Sequence, residues 1–247
     1  DDHAEKAISC YDKHFIQTPN LDRIANEGIR FTNSFVTNSI CAPSRAVLLT
    51  GKYSHMNGLK DNRDTFDGTQ QTFPKILKQN GYDTAIFGKW HLKSEPTGFD
   101  QWEVLIDQGE YYNPKFRTAR GEIKETGYAT DIITDKAIDF MDNRKTDSPF
   151  CMLIHHKAPH RNWMPPLKYL DKFDDKNFPI PETFYDDYKT REKTAGEADM
   201  RIEDMFLTFD FKLSPEDYDK QTGSGGKGVI SEKPMSYYRD QMNPEQL

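Results

Sequence analysis

The chain has 247 residues and a formal net charge of −7, so it lacks the clustered lysine and arginine that a nucleic-acid backbone requires. Hydrophobic residues reach only 35% against 30% charged, a thin core for this length that points to long polar loops, to a piece of a larger protein, or to both. The three cysteines, Cys10, Cys41 and Cys151, form neither a metal-type spacing nor an even-numbered disulfide framework, and no apolar run is long enough to span a membrane.

The chain opens abruptly on Asp1-Asp2-His3, with no signal segment ahead of it. Two adjacent carboxylates are hard oxygen donors that suit Ca²⁺ or Mg²⁺, although two acids at a terminus, taken alone, are more usually a solvated loop. Residues 18–28 read as a capped helix, with Thr18 as N-cap, Pro19 first, Gly28 as stop, and Leu21, Ile24 and Ala25 on the buried face. Residues 29–36 alternate apolar and polar side chains at their start, as a half-buried strand does.

Cys41-Ala42-Pro43-Ser44-Arg45 then begins a short helix that Gly51 closes. A cysteine here sits at the positive end of the helix beside unpaired backbone N–H groups, with Arg45 one turn on. Taken alone it is either a small buried residue at a cap or a chemically available one at an anion-binding position. His55 lies near the end of the next short helix, where the helix dipole accounts for it. Residues 61–71 are polar and aperiodic, a surface loop.

Residues 72–81 predict another short helix. The apolar run Thr84-Ala85-Ile86-Phe87 reads as a buried strand that ends in Gly88-Lys89-Trp90-His91. Functional groups in open α/β sheets gather at carboxyl edges of this kind, and Lys89 and His91 leave it two positions apart. Residues 98–127, rich in glycine, tyrosine and charge, read as a loop whose aromatics either pin it down or stack on sugar rings. Residues 128–143 carry helical spacing through Ala129, Ile133, Ala137 and Phe140.

Phe150-Cys151-Met152-Leu153-Ile154 is continuously apolar, as a central parallel strand is. It runs through His155 and His156 into Lys157-Ala158-Pro159-His160, where a histidine at a strand end is placed to donate a proton or to satisfy backbone carbonyls. Beyond it, residues 165–247 are loop-rich, with a helical stretch near 191–206 and a flexible connector at 222–228. That connector is not a phosphate loop, because no apolar strand leads into it and its Gly-Lys lacks the following Ser or Thr.

C-x-P-S-R followed by Leu-Thr-Gly, G-K-W-H and A-P-H, in this order behind an acid pair, resembles the type I sulfatase family of the alkaline phosphatase superfamily. The resemblance covers essentially the whole chain. It implies an alkaline-phosphatase-like α/β sandwich, with a central, mostly parallel sheet flanked by helices. Residues 1–247 are then a single, partial catalytic domain, its first strand and C-terminal part absent.

The same resemblance implies the chemistry. A maturation enzyme oxidises Cys41 to formylglycine, whose hydrate attacks sulfur. Asp1, Asp2 and residue 41 bind a calcium ion. Arg45 and Lys89 stabilise developing charge, and His160 protonates the leaving oxygen. His91 takes the proton when sulfate is expelled, and Lys89, His91, His160 and, more weakly, Lys157 contact the sulfate. An Asp with a following Asn or Gln, and a further lysine, belong to the pattern and are missing after His160, so the chain as written is expected to turn over little substrate.

The expected substrate is a sulfated carbohydrate of glycosaminoglycan or mucin type, N-acetylglucosamine 6-sulfate being the first choice by likeness to bacterial N-acetylglucosamine-6-sulfatase-like members. Phosphomonoester or phosphonate hydrolysis is the alternative, and an inactive glycan-binding fragment the other. Family habit points to the periplasm or the extracellular space.

Overall fold

The computed structural model describes residues 1–198, 205–206, 210–212 and 240–246. They divide into two compact units, Asp1–His160 and Arg161–Leu247.

The first unit is built on a five-stranded sheet of order β4-β3-β2-β1-β5. β1 (Asp83–Lys89) lies parallel to β2 (Gln101–Leu105) on one side and to β5 (Phe150–His155) on the other. β3 (Lys115–Thr118) and β4 (Gly121–Lys124) add an antiparallel hairpin beyond β2. Alternation along β1 sends its side chains into two separate cores, one on each face. Ile86 joins Val104, Leu92 and Phe99 against Ala42, Ala46 and Leu49 of α2 (Cys41–Thr50). Ala85 and Phe87 join Leu105 and Phe116 against Ile133, Ala137 and Phe140 of α5 (Ala129–Asn143). Ile86 and Phe87 are wholly buried, each worth roughly 1.5–3 kcal/mol of transfer free energy. The result is a helix–sheet–helix sandwich with α2 and α5 on opposite faces.

α2 ends where the sequence predicts: Gly51 adopts a left-handed conformation (φ +66°) and its N–H bonds Val47 C=O at 2.8 Å. Its start differs slightly, since Cys41 is the first helical residue and Pro43 the third, still within the turn whose N–H groups need no intrahelical acceptor. α1 (Pro19–Glu27) forms, but Leu21 and Ile24 are exposed rather than buried, and no strand follows at residues 29–36. Ile29, Phe31 and Phe35 lie in irregular, exposed chain. Alternation alone makes no strand there because no described strand pairs with it. α3 (Ser54–Asn57) and α4 (Phe73–Gln79) are short.

The segment 98–127 is not a loop: it supplies β2, β3 and β4. These strands are short, and β4 is exposed along its whole length, so no apolar run marks them. Lys136 of α5 holds β2 and the end of the hairpin through Glu103 (2.6 Å) and Glu125, with its ammonium 5.0 Å from the Phe116 ring centre. β5 is the edge strand among the described residues, not a central one, and Phe150 and Ile154 remain partly exposed. A continuous apolar run reports faces to be covered, not how many strands lie alongside.

In the second unit the described residues form two 3₁₀ turns and the short α6 (Lys193–Gly196). The helix expected near 191–206 is confined to that turn among the described residues, and the connector 222–228 lies outside them. Arg161 grips the fully buried carboxylate of Asp210 through Nε at 2.9 Å and through its terminal nitrogen, and Phe206 N–H adds a bond to the same carboxylate at 2.9 Å. No described helix is long and apolar enough to cross a membrane.

Candidate active site

β1 and β5 run parallel in a register that sets Gly88 opposite His155, so Lys89 and residues 155–160 emerge at one carboxyl edge. The close approach requires glycine at 88. Its φ is +99°, and a Cβ there would stand 2.1 Å from His155 O. The start of α2 faces this edge and carries Cys41 and Arg45 to it.

Six residues singled out from the sequence converge here. Cys41 Sγ lies 4.0 Å from Lys89 Nζ and 4.0 Å from His160 Nε2. Lys89 Nζ pairs with the Asp1 carboxylate, which also receives Arg45 at 2.5 Å. His160 Nε2 is 3.9 Å from the Asp2 carboxylate. Asp1, Asp2, Cys41 and Arg45 line an open cleft of about 500 Å³ with Val36, Ile40, Leu48 and Ile154 as its apolar wall. His3 also borders it.

Burial sets the protonation of these groups. Lys89 is wholly buried, and desolvation together with the Arg45 charge lowers it to about 8 against the pull of Cys41 and Asp2. Desolvation brings Arg45 down to about 10, so its guanidinium stays charged at neutral pH. Desolvation, then Lys89, Arg45 and His160, push His91 down to about 4. Desolvation and Arg45 push His155 to about 4. Two neutral imidazoles thus border a cationic pair.

His91 is in this company but its hydrogen bond is to a residue the sequence reading missed: Gln108 Nε2, at 3.1 Å from His91 Nε2. Lys157 lies against Gln108 and Tyr111. Its ammonium bonds Gln108 C=O at 3.3 Å and sits 4.9 Å from the ring centre of Tyr111. Tyr111 in turn donates to His160 C=O at 2.6 Å, fixing the backbone that carries that imidazole. His155, at the end of β5, meets Arg45 directly. His55 stacks on Tyr53 away from this cluster.

The open anion site expected at the helix start is largely filled. Ala42 N–H bonds Asn62 Oδ1 at 3.0 Å, Pro43 has no N–H, and Ser44 N–H bonds Ile40 C=O at 2.9 Å. Asn62 lies in the polar loop 61–71, and no local pattern singles it out. Positive charge at the cleft comes from Arg45 and Lys89, not from free helix N–H groups.

One ligand atom each from Asp1, Cys41 and His160 lie within 4.8 Å of one another. A calcium ion takes about six to eight oxygens. The two aspartates, with an oxygen in place of the Cys41 sulfur, suit such an ion and supply part of that shell. The thiol and imidazole themselves are too soft for it, and both Arg45 and Lys89 already balance Asp1.

A family profile described as Sulfatase matches residues 1–218, and the chain belongs to the Sulfatase family. Members of that family generally use a formylglycine and a metal ion. The chain is 57% identical over 216 residues to the N-acetylglucosamine-6-O-sulfatase of Bacteroides thetaiotaomicron, which covers 86% of this chain and 38% of that protein. It is 31% identical over 193 residues to the human N-acetylglucosamine-6-sulfatase, covering 65% and 35%. Among solved structures, BT4656 in complex with its substrate D-glucosamine-2-N,6-O-disulfate matches with a TM-score of 0.88 at 50% identity, covering 99% of this chain and 49% of that one. Ps i-CgsB with a neocarrahexaose matches with a TM-score of 0.67 at 26% identity, covering 72% and 48%. The sandwich is the alkaline-phosphatase-like fold of these neighbours. The chain spans less than half the length of each of these four relatives.

Proposed function

We propose that the protein containing this chain is a sulfuric ester hydrolase acting on sulfated carbohydrate, with 6-O-sulfated glucosamine units as the substrate class. The observation that carries the reading is the placement of Cys41 Sγ 4.0 Å from both Lys89 and His160, beside the carboxylates of Asp1 and Asp2. The likeness to two proteins whose names or substrates specify 6-sulfated glucosamine supports the choice of sugar.

Oxidised to formylglycine by a maturation enzyme, residue 41 supplies a hydrated aldehyde whose hydroxyl attacks sulfur. Asp1, Asp2 and residue 41 would hold a calcium ion, which would supply Lewis-acid charge at that hydroxyl. The rest falls to ordinary side chains. Arg45 and Lys89 put two positive charges beside residue 41, in a buried setting where charge stabilisation is strongest. His160 is within reach of residue 41 and hands its proton to the departing sugar oxygen, steadied by the Asp2 carboxylate and by the Tyr111 bond to its backbone. His91, neutral at physiological pH, has a free site for the proton released when sulfate leaves. Residence in the periplasm or outside the cell is part of the same proposal, and cell fractionation tests it.

The full protein, matured in a host that makes formylglycine, is expected to release sulfate from D-glucosamine-2-N,6-O-disulfate and to lose that activity in Cys41→Ala. Turnover confined to aryl sulfates removes the sugar assignment. Release of phosphate from phosphomonoesters in preference to sulfate replaces the reaction. Mass spectrometry of the Cys41 peptide separates an aldehyde from an unmodified thiol, and a thiol from such a host favours a glycan-binding role.

A further inference from the structure

We infer that Cys41, while it is still a thiol, forms with His160 and Asp1 a binding site for a zinc ion, so that the chemical state of residue 41 selects the metal. The site needs only the cysteine that the chain encodes; its bearing on maturation rests on the function proposed above.

The donors come from separate parts of the chain, and each is held in place. Cys41 is the first residue of α2 and is in no disulfide. His160 is fixed through its backbone, whose N–H bonds Lys157 C=O at 3.0 Å and whose C=O receives the Tyr111 hydroxyl. The Asp1 carboxylate is held by Arg45 and Lys89. One donor atom from each of Asp1, Cys41 and His160 lies within 4.8 Å of the others, and no second group of this kind occurs among the described residues. A fourth position falls to the Asp2 carboxylate, 3.9 Å from His160 Nε2.

Tetrahedral zinc bonds a thiolate sulfur at about 2.3 Å and an imidazole nitrogen at about 2.0–2.1 Å, which sets the two donors about 3.6 Å apart. Cys41 Sγ and His160 Nε2 stand 4.0 Å apart, so a small turn of the imidazole closes the pair on the ion. Sulfur, nitrogen and carboxylate oxygen together are a zinc donor set, whereas calcium seeks a shell of oxygens alone. Arg45 and Lys89 oppose any dication here. The thiolate offsets them with one more negative charge and a partly covalent bond to the metal. Its proton leaves to the buffer as the metal binds. Replacing the sulfur by an aldehyde hydrate removes both gains, and the cleft then offers zinc no advantage over calcium. A thiolate bound to zinc is also withdrawn from alkylation and oxidation, since the same electron pair serves both.

The test uses the full protein made in a host without a maturation enzyme, so that residue 41 stays a thiol, with Co²⁺ as the spectroscopic stand-in for zinc. Co²⁺ should give a thiolate-to-metal charge-transfer band in the near ultraviolet, which Zn²⁺ removes at far lower concentration than Ca²⁺. Cys41→Ser and the matured protein should both lack the band. His160→Ala should weaken Co²⁺ binding at least roughly 10-fold, because residues that merely orient a ligand already cost that much. Zn²⁺ should also slow iodoacetamide labelling of Cys41 in the parent, with Cys10 and Cys151 as references in the same digest, a measurement that needs no variant to fold. A missing band, a band that persists in Cys41→Ser, or equal labelling of Cys41 with and without Zn²⁺ overturns the inference. Zinc capture by the thiol form, with no sulfate release by the matured protein, would uphold the site and sink the proposed reaction instead.

Discussion

Arg45 and His155 meet at 3.0 Å, guanidinium nitrogen to Nδ1, although they come from a helix and a strand 110 positions apart. Arginine has only hydrogens to give, so His155 Nδ1 accepts, and the same Arg45 nitrogen also donates to Lys89 C=O at 2.5 Å. The contact has a pH consequence. His155 is pushed from about 6.5 in the unfolded chain to about 4 in the folded one. A lowered folded-state value means that the unfolded chain binds the proton better. The stability contribution is therefore fully present above pH 6.5 and is lost as pH falls from there towards 4. The melting temperature should fall more between pH 7 and 5 in the parent than in His155→Gln, by roughly 2–4 °C. Thermal scans at the two pH values measure the difference, and parallel slopes would contradict the assignment.

Gly88→Ala should be the most damaging single methyl group in the first unit. The added carbon has nowhere to go against His155 O, and relief requires the β1–β5 pairing to open. A loss of about 3 kcal/mol is expected. Urea unfolding reads it directly. A variant of near-parental midpoint would show that the edge yields more easily than the geometry says.

Asn62→Ala removes the acceptor for Ala42 N–H, a donor buried at the first turn of α2. Leaving it unpaired should cost about 1–2 kcal/mol, and Asn62→Asp, which keeps an acceptor in place, should retain most of the stability. Comparing the two melting temperatures separates loss of the bond from loss of side-chain volume.

Asp210→Ala removes the fully buried carboxylate that Arg161 binds in the second unit. Unpairing a buried ion pair typically costs about 3–5 kcal/mol, while replacing both partners with apolar residues costs much less. Limited proteolysis should therefore cut within 161–247 fastest in Asp210→Ala and more slowly in Arg161→Met/Asp210→Leu. Equal rates would mean that this pair does not hold the unit.

Cys41, Arg45, Lys89 and His160 are legible in the sequence because each stands at a local landmark, a helix start or the end of an apolar strand. Asp1 and Asp2 depend on adjacency alone. Gln108, Tyr111 and Asn62 leave no comparable mark. Their side chains reach partners across separations of 17, 49 and 20 positions, and nothing in their neighbours announces a partner. The same limit explains β2 to β4: strands of four or five residues show too few inward positions to register as a period. Conversely, residues 29–36 alternate convincingly yet pair with nothing described, since a pattern states a face and not a neighbour.

The connection between β2 and β3 bears on how relatives of this chain can diverge. Surface loops usually absorb insertions freely, and residues 61–71 have room to do so away from Asn62. The stretch from Ile106 to Pro114 does not, because an added residue would shift Gln108 and Tyr111 together and disturb the histidines leaving two different strands. Its length and the amide–imidazole pair are therefore expected to change together, and a homologue with a longer connection is expected to lack that pair.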